Sequence, residues 1–251
     1  MPGRTIDQII DELGEVVAKS REERSRLGYF AAMYRRVTVR VKQGIAAGEF
    51  EDGARMERLD VAFADRYLDA YRAYHADEPL TASWRVAFDA TRRWRPLVIQ
   101  HLFSGMNAHI NLDLPIAAAA VAPGEAIPGL EEDFRRINLL LRQLTTGVHA
   151  DLAAVFPLLA APDVMAGGVW NMLAGRGISV ARGVAWGAAV RLATVPSDDL
   201  PAEIERQDER VAGLGRRILS PSPLSNVLTM GIRLGEWKRI RGVIDVLAKD
   251  G

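Results

Sequence analysis

The stretch Gln100-His-Leu-Phe-Ser-Gly-Met-Asn-Ala-His-Ile-Asn-Leu-Asp-Leu-Pro115 constrains the fold more than any other part of the chain. It is apolar enough for an interior, yet it carries His101, Asn107, His109, Asn111 and Asp113. A polar group buried without a partner costs about 1–3 kcal/mol. A chain that places five of them in one apolar segment has to build their partners elsewhere. The segment therefore marks a site, without saying which reaction, if any, happens there.

On a helical wheel each residue advances about 100°. His101, Gly105, His109 and Asp113 are four apart and follow one slowly drifting stripe. Asn107 and Asn111 each fall about 160° from His109, on the opposite side. Met106, Ile110 and Leu114 fill one flank, Ala108 and Leu112 the other. A surface helix has a single polar face, so two opposed polar stripes call for a central helix enclosed by others. Pro115 is expected to stop or kink that helix, and the alanines from Ala117 to Ala120 to let a neighbour approach closely.

With 251 residues and 49% hydrophobic content, the chain can bury a sizeable core. Lysine plus arginine number 32 and aspartate plus glutamate 32, so there is no basic surplus for general nucleic-acid binding. The chain has no cysteine, which excludes thiolate zinc sites, disulfides and cysteine nucleophiles. Met-Pro-Gly-Arg-Thr-Ile-Asp at the start has no apolar signal core, and no run of ~18 uncharged apolar residues predicts a membrane span. A soluble cytoplasmic protein is the expectation.

Thr5 is expected to cap a helix over Ile6–Arg24, followed by helices over about Leu27–Ala47 and Ala54–His75. The inner face of the third reads Leu59, Asp60, Phe63, Ala64, Tyr67, Tyr71, with Asp60 the anomaly. Thr81 or Ser83 opens a short helix through Thr91, and Arg92, Arg93 and Arg95 read as a solvated basic turn. Glu131, Glu132 and Asp133 start a long helix, where acids complement the helix dipole. Gly167-Gly-Val-Trp opens a glycine-rich helix through about Ala193 that carries Arg182. Its glycines follow no strand, so no nucleotide cofactor is expected. A polar helix over Ala202–Leu219 precedes the break Ser220-Pro-Ser-Pro. A last helix over Leu224–Ala248 is read as a docked closing element or a homodimer contact. The reading is all-α, about eight helices in one multi-helix domain around a buried central helix, residues 1–219, with 220–251 as a C-terminal helical appendage.

Three blocks resemble an uncharacterised bacterial family, a domain of unknown function. They are Phe30-Ala-Ala-Met-Tyr-Arg-Arg-Val-Thr with Met56-Glu-Arg-Leu-Asp-Val-Ala-Phe-Ala-Asp-Arg-Tyr, then Gly105-Met-Asn-Ala-His-Ile-Asn-Leu-Asp-Leu, then Asp133-Phe-Arg-Arg-Ile-Asn with Ala181-Arg-Gly-Val-Ala-Trp. The resemblance implies a helical fold and no particular activity. His109-Ile-Asn-Leu-Asp113 is also similar to the His-x-x-x-Asp helix motif of the helical zinc phospholipase C group. Those sites hold three zinc ions through many histidines, whereas this chain has four, His75, His101, His109 and His149.

Three chemistries suit the central segment. His109 and Asp113 could present a nitrogen and an oxygen to one divalent metal, with Asp60, Asp133, His149 or Asp151 as a third ligand. Alternatively, Asp113 orients His109 as a general base, with Tyr67 or Arg182 as acid or charge clamp and Asn amides facing a developing oxyanion. In both, His101, Asn107, Asn111, Asp60 and Asp133 line the ligand. The third possibility is a polar network that fixes helix register in a non-catalytic binding or interaction protein. The expectation is a small-molecule enzyme of hydrolase or cyclase/lyase type with His109, Asp113, Tyr67 and Arg182 as its catalytic set. No Gly-x-Ser-x-Gly elbow supports a serine hydrolase.

Overall fold

A computed structural model describes residues 4–137, 176–220 and 239–249, with backbone alone over 176–182. The fold is an all-α single domain, and among the described residues there is no strand. Its helices are α1 (Ile6–Glu23), α2 (Leu27–Ala46), α3 (Gly53–His75), α4 (Ala82–Thr91), α5 (Val98–Ala108), α6 (Leu114–Val121), α7 (Arg176–Thr194), α8 (Leu200–Leu219) and α9 (Ile240–Leu247). A π turn, His109–Asp113, joins α5 to α6 without a break. A 3₁₀ segment, Gly124–Leu130, leads into helical residues 131–137.

Local sequence explains the entry helices. Thr5 and Gln8 form a reciprocal capping box that satisfies two amide donors at the start of α1. The apolar residues Ile6, Ile9, Ile10, Leu13 and Val16 of α1 then turn inward. Arg24 ends the helix in the left-handed region at φ 54°. Gly28 lets α2 approach two neighbours at once: a Cβ there would lie 2.7 Å from Ser20 and 2.8 Å from Ile244.

The rod α5–π–α6 is enclosed. It touches α2 and α3, α4 and α8, and α7 along α6. All of α5 except Met106 is buried, and so are His109, Ile110, Leu112 and Asp113. Its polar side chains are therefore interior groups, as the two opposed stripes require.

α9 closes a second apolar cluster. Val243, Ile244 and Leu247 are fully buried against Tyr29, Leu97, Val98 and Phe103. At about 1.5–3 kcal/mol for each buried aliphatic side chain, this face anchors the C-terminus to α2 and α5. Of the helix read as a docked closing element or a homodimer contact, Ile244 and Leu247 pack on the chain itself; residues 224–238 lie outside the described residues. Among the described residues no single helix is long and apolar enough to cross a membrane.

Candidate active site

The site begins with a proline. In a regular α-helix the ring of Pro115 would press on the carbonyl of Asn111, four residues back, and offer it no amide. The turn immediately upstream widens instead: Leu114 N–H donates to His109 O, the five-residue bond of a π turn. The Asn111 carbonyl accepts from Gln207 Nε2 of α8 at 2.9 Å. Pro115 neither stops nor sharply bends the rod, as the sequence had suggested; it occupies the first turn of α6, which continues to Val121.

Residues four apart meet on one face of a helix, and across this turn His109 Nδ1 lies 3.1 Å from Asp113 Oδ2. Two more donors fix that carboxylate. Arg66 Nε of α3 donates to Oδ1 at 3.0 Å, and Trp84 Nε1 of α4 donates to Oδ2 at 2.8 Å. Asp113 as a carboxylate is only an acceptor to these groups, so a neutral imidazole here would carry its proton on Nδ1 and its lone pair on Nε2. The carboxylate is 1% exposed, which keeps water from competing for it.

The imidazole sits among aromatic rings. Phe63 stacks on it at 3.5 Å between centroids and 10° between planes. Tyr34 meets it edge-on at 4.3 Å, Phe30 at 5.5 Å. These rings, with Asp60 and Met106, line a cavity of about 50 Å³, space for a few waters or a compact ligand group. Asp60 is 4% exposed, and its Oδ2 has no hydrogen-bond partner among the described residues. Burial first, and then the charge of Glu57, raise its carboxyl to about 7. Burial, helped by Asp60 and Asp113, likewise holds the Tyr34 hydroxyl protonated.

A second, more open cleft of about 200 Å³ is lined by Arg66, Asp69, Thr81, Trp84 and Asp113. His109 borders the first space and Asp113 the second. The hydrogen-bonded pair therefore connects an apolar cavity to a polar cleft.

The remaining candidates are distributed as follows. Tyr67 is fully buried, 6.3 Å from the His109 ring between centroids, and its hydroxyl has no partner among the described residues. Burial raises its pKa far out of range for proton exchange. It packs against Phe30 and Trp84 behind the site and does not line the cavity. Asn107 and Asn111 bond each other at 3.0 Å, and Asn107 Nδ2 donates to Val211 O of α8 at 2.8 Å. They tie the rod to α8 on the side away from His109. His101 belongs to the second apolar cluster region, edge-on to Tyr29 at 5.9 Å. Asp133 does not complement its own helix: it accepts from the amides of Glu51 and Asp52 and from Arg55, at the start of α3. The side chain of Arg182 and the residues Asn138, His149 and Asp151 lie outside the described residues.

Arg66, Trp84, Phe30, Tyr34 and Phe63 complete the site without having been singled out as site residues. Phe63 was visible beside Asp60 on the inner face of the third helix, and Phe30 and Tyr34 stand four apart on α2. Arg66 and Trp84 reach Asp113 from 47 and 29 residues away, a distance no local pattern encodes. No group of three or more histidine, aspartate and glutamate side chains that could hold a metal converges among the described residues. The carboxylate of the His109–Asp113 pair instead carries a guanidinium.

The model of a family of unknown function, DUF5995, matches residues 6–221. No curated protein and no solved structure matches the chain.

Proposed function

We propose, for a chain that belongs to the DUF5995 family, metal-free acid–base chemistry on a small organic molecule held in the cavity beside His109. His109 Nε2 is the base, Asp113 the partner that fixes its tautomer, and Asp60 the second proton-carrying group on the same cavity. The observation that carries this reading is the 3.1 Å contact of His109 Nδ1 with Asp113 Oδ2 across a π turn. Such local widening of a helix recurs at functional sites.

The cavity walls are mostly hydrocarbon, which suits proton transfer at carbon, a lyase or cyclase step, better than hydrolysis. Asp60, raised to about 7, can give or take a proton near neutral pH, where a general acid or base works best. The second reading is a binding scaffold without chemistry. It is favoured by the way Asp113 lashes α3, α4 and the π turn together through three donors.

Proton abstraction at carbon leaves a trace that needs no knowledge of the product. The protein is incubated in D₂O with a panel of small ketones, amines and hydroxy acids, and deuterium incorporation is read by NMR. Wild type is expected to exchange at least one compound, and His109→Gln, checked to be folded by circular dichroism, to lose about 10²-fold or more of that rate. Equal exchange by wild type and His109→Gln would contradict the role given to His109.

A further inference from the structure

We infer that the cavity beside His109 is a cation site, which takes a small organic ammonium group between the rings of Phe30, Tyr34 and Phe63 with Asp60 as counter-ion. This deepens the acid–base reading by naming the substrate class, and rests on it only for what happens after binding.

Three rings stand on the cavity walls: Tyr34 and Phe63 meet at 73° with centroids 5.9 Å apart, Phe30 and Tyr34 lie at 22° with centroids 5.6 Å apart, and one face of Phe63 is taken by His109. The faces of aromatic rings carry negative partial charge, and converging rings are the usual receptor for alkylated ammonium groups. Phenyl rings alone would serve an apolar ligand equally well. The distinguishing group is Asp60, a carboxyl 4% exposed on an otherwise apolar wall. A carboxyl so buried ordinarily has its oxygens hydrogen-bonded, yet Oδ2 has no partner among the described residues. No lysine or arginine lines this cavity among the described residues.

The field has the matching sign. Tyr34 reaches into the same space; burial first, and then the charges of Asp60, Asp113 and Asp65, keep its hydroxyl protonated against the opposing effect of Thr38. A cation placed there would favour the ionised form of Asp60 and the neutral form of His109. The neutral imidazole is the form that accepts a proton, so the ligand's charge would prepare the base that acts on it. No bond to the ammonium nitrogen is made or broken in binding.

The test uses the full-length protein at pH 8 with four probes: methylammonium, trimethylammonium and tetramethylammonium chlorides, and neutral tert-butanol. Binding is followed by ligand-observed NMR and calorimetry in wild type, Asp60→Asn and Phe63→Leu. At least one ammonium is expected to bind about tenfold or more tighter than tert-butanol. Asp60→Asn should remove that preference. Phe63→Leu should weaken the ammonium by about threefold or more and leave tert-butanol unchanged, which keeps the test decisive if one variant folds poorly. Should tert-butanol match every ammonium in wild type, or should Asp60→Asn bind the ammonium as wild type does, the cation site is overturned. Asp60-dependent ammonium binding beside unchanged exchange by His109→Gln would remove the acid–base reading and leave the cation site standing. His109-dependent exchange of neutral compounds alone would do the reverse.

Discussion

Gln207 donates its side-chain amide to the carbonyl of Asn111 across 2.9 Å, replacing the backbone donor that Pro115 cannot supply. One proline thus accompanies two features: the widened turn that spans His109 and Asp113, and a carbonyl handed to α8. Pro115→Ala restores an amide at 115 and removes the ring that disfavours regular helix. The π turn is expected to tighten and the His109–Asp113 bond to lengthen, with melting temperature unchanged or raised. The structure of the variant and its turnover check this. Gln207→Ala is expected to cost about 1–3 kcal/mol, because a buried carbonyl loses its partner; urea denaturation measures it.

Asp113→Asn keeps the shape of the side chain but removes the charge that Arg66 and His109 face. Taking one member from a buried ion pair costs about 3–5 kcal/mol, and the lower end applies because the Arg66 side chain is 29% exposed. The variant is expected to lose about 3 kcal/mol of stability. It should also lose the acid–base rate, since an amide can turn its NH₂ toward Nδ1 and reverse the tautomer. Denaturant melts and the deuterium-exchange rate are the two readouts.

Two buried titratable groups give opposite pH dependences. Asp60 is raised from 3.8 to about 7 by burial and by Glu57. The folded state holds that proton more tightly than the unfolded chain, so this contribution is complete below 3.8 and is lost as pH rises to about 7. His101 is lowered from 6.5 to about 3, by burial first and then by Arg26. The folded state resists that proton, so its contribution is complete above 6.5 and is lost as pH falls toward 3. Between about pH 4 and 6.5 the two slopes, each about 1.4 kcal/mol per unit, oppose one another. Single variants unmask them. Asp60→Asn should lose stability as pH falls through this window, and His101→Gln should gain it. Denaturation series at half-unit steps decide the sign of each slope.

Gly105 faces Phe30 across the rod. A Cβ there would lie 2.7 and 2.9 Å from carbons of the Phe30 ring. Gly105→Ala gains up to about 1 kcal/mol of helix propensity, but overpacking costs about 1–3 kcal/mol. A net loss is expected, together with displacement of one wall of the cavity. Ligand affinity should fall more than melting temperature suggests.

Much of this arrangement was readable from the residue pattern. Apolar flanks between opposed polar stripes located the rod, and the spacing of His109 and Asp113 located the pair. The π turn was not readable, because a wheel at a fixed angle per residue cannot show a change of winding. His101 is separated from His109 by two regular turns and a drift of about 80°, and it packs with Tyr29 in another cluster. Gln207 and Asp208 belong to the helix read from the sequence only as polar. Both are buried: Gln207 bonds Asn111, and Asp208 accepts from the amides of Ala82 and Ser83 at the start of α4. A carboxylate from a distant helix thus serves where Thr81 or Ser83 was expected to cap. Asp133 repeats the pattern at α3. Such partners are set by tertiary packing, and local spacing carries no trace of them.

The central claim is that the carboxylate of Asp113 fixes the proton of a neutral His109 ring on Nδ1 and leaves Nε2 as the base. Long-range ¹H–¹⁵N spectra of ¹⁵N-histidine-labelled protein, with His109 assigned through His109→Gln, read this directly. The predicted result at pH 8 is a protonated Nδ1 and an unprotonated Nε2 for His109, reversed or averaged in Asp113→Asn. A wild-type spectrum with the proton on Nε2 would contradict the account.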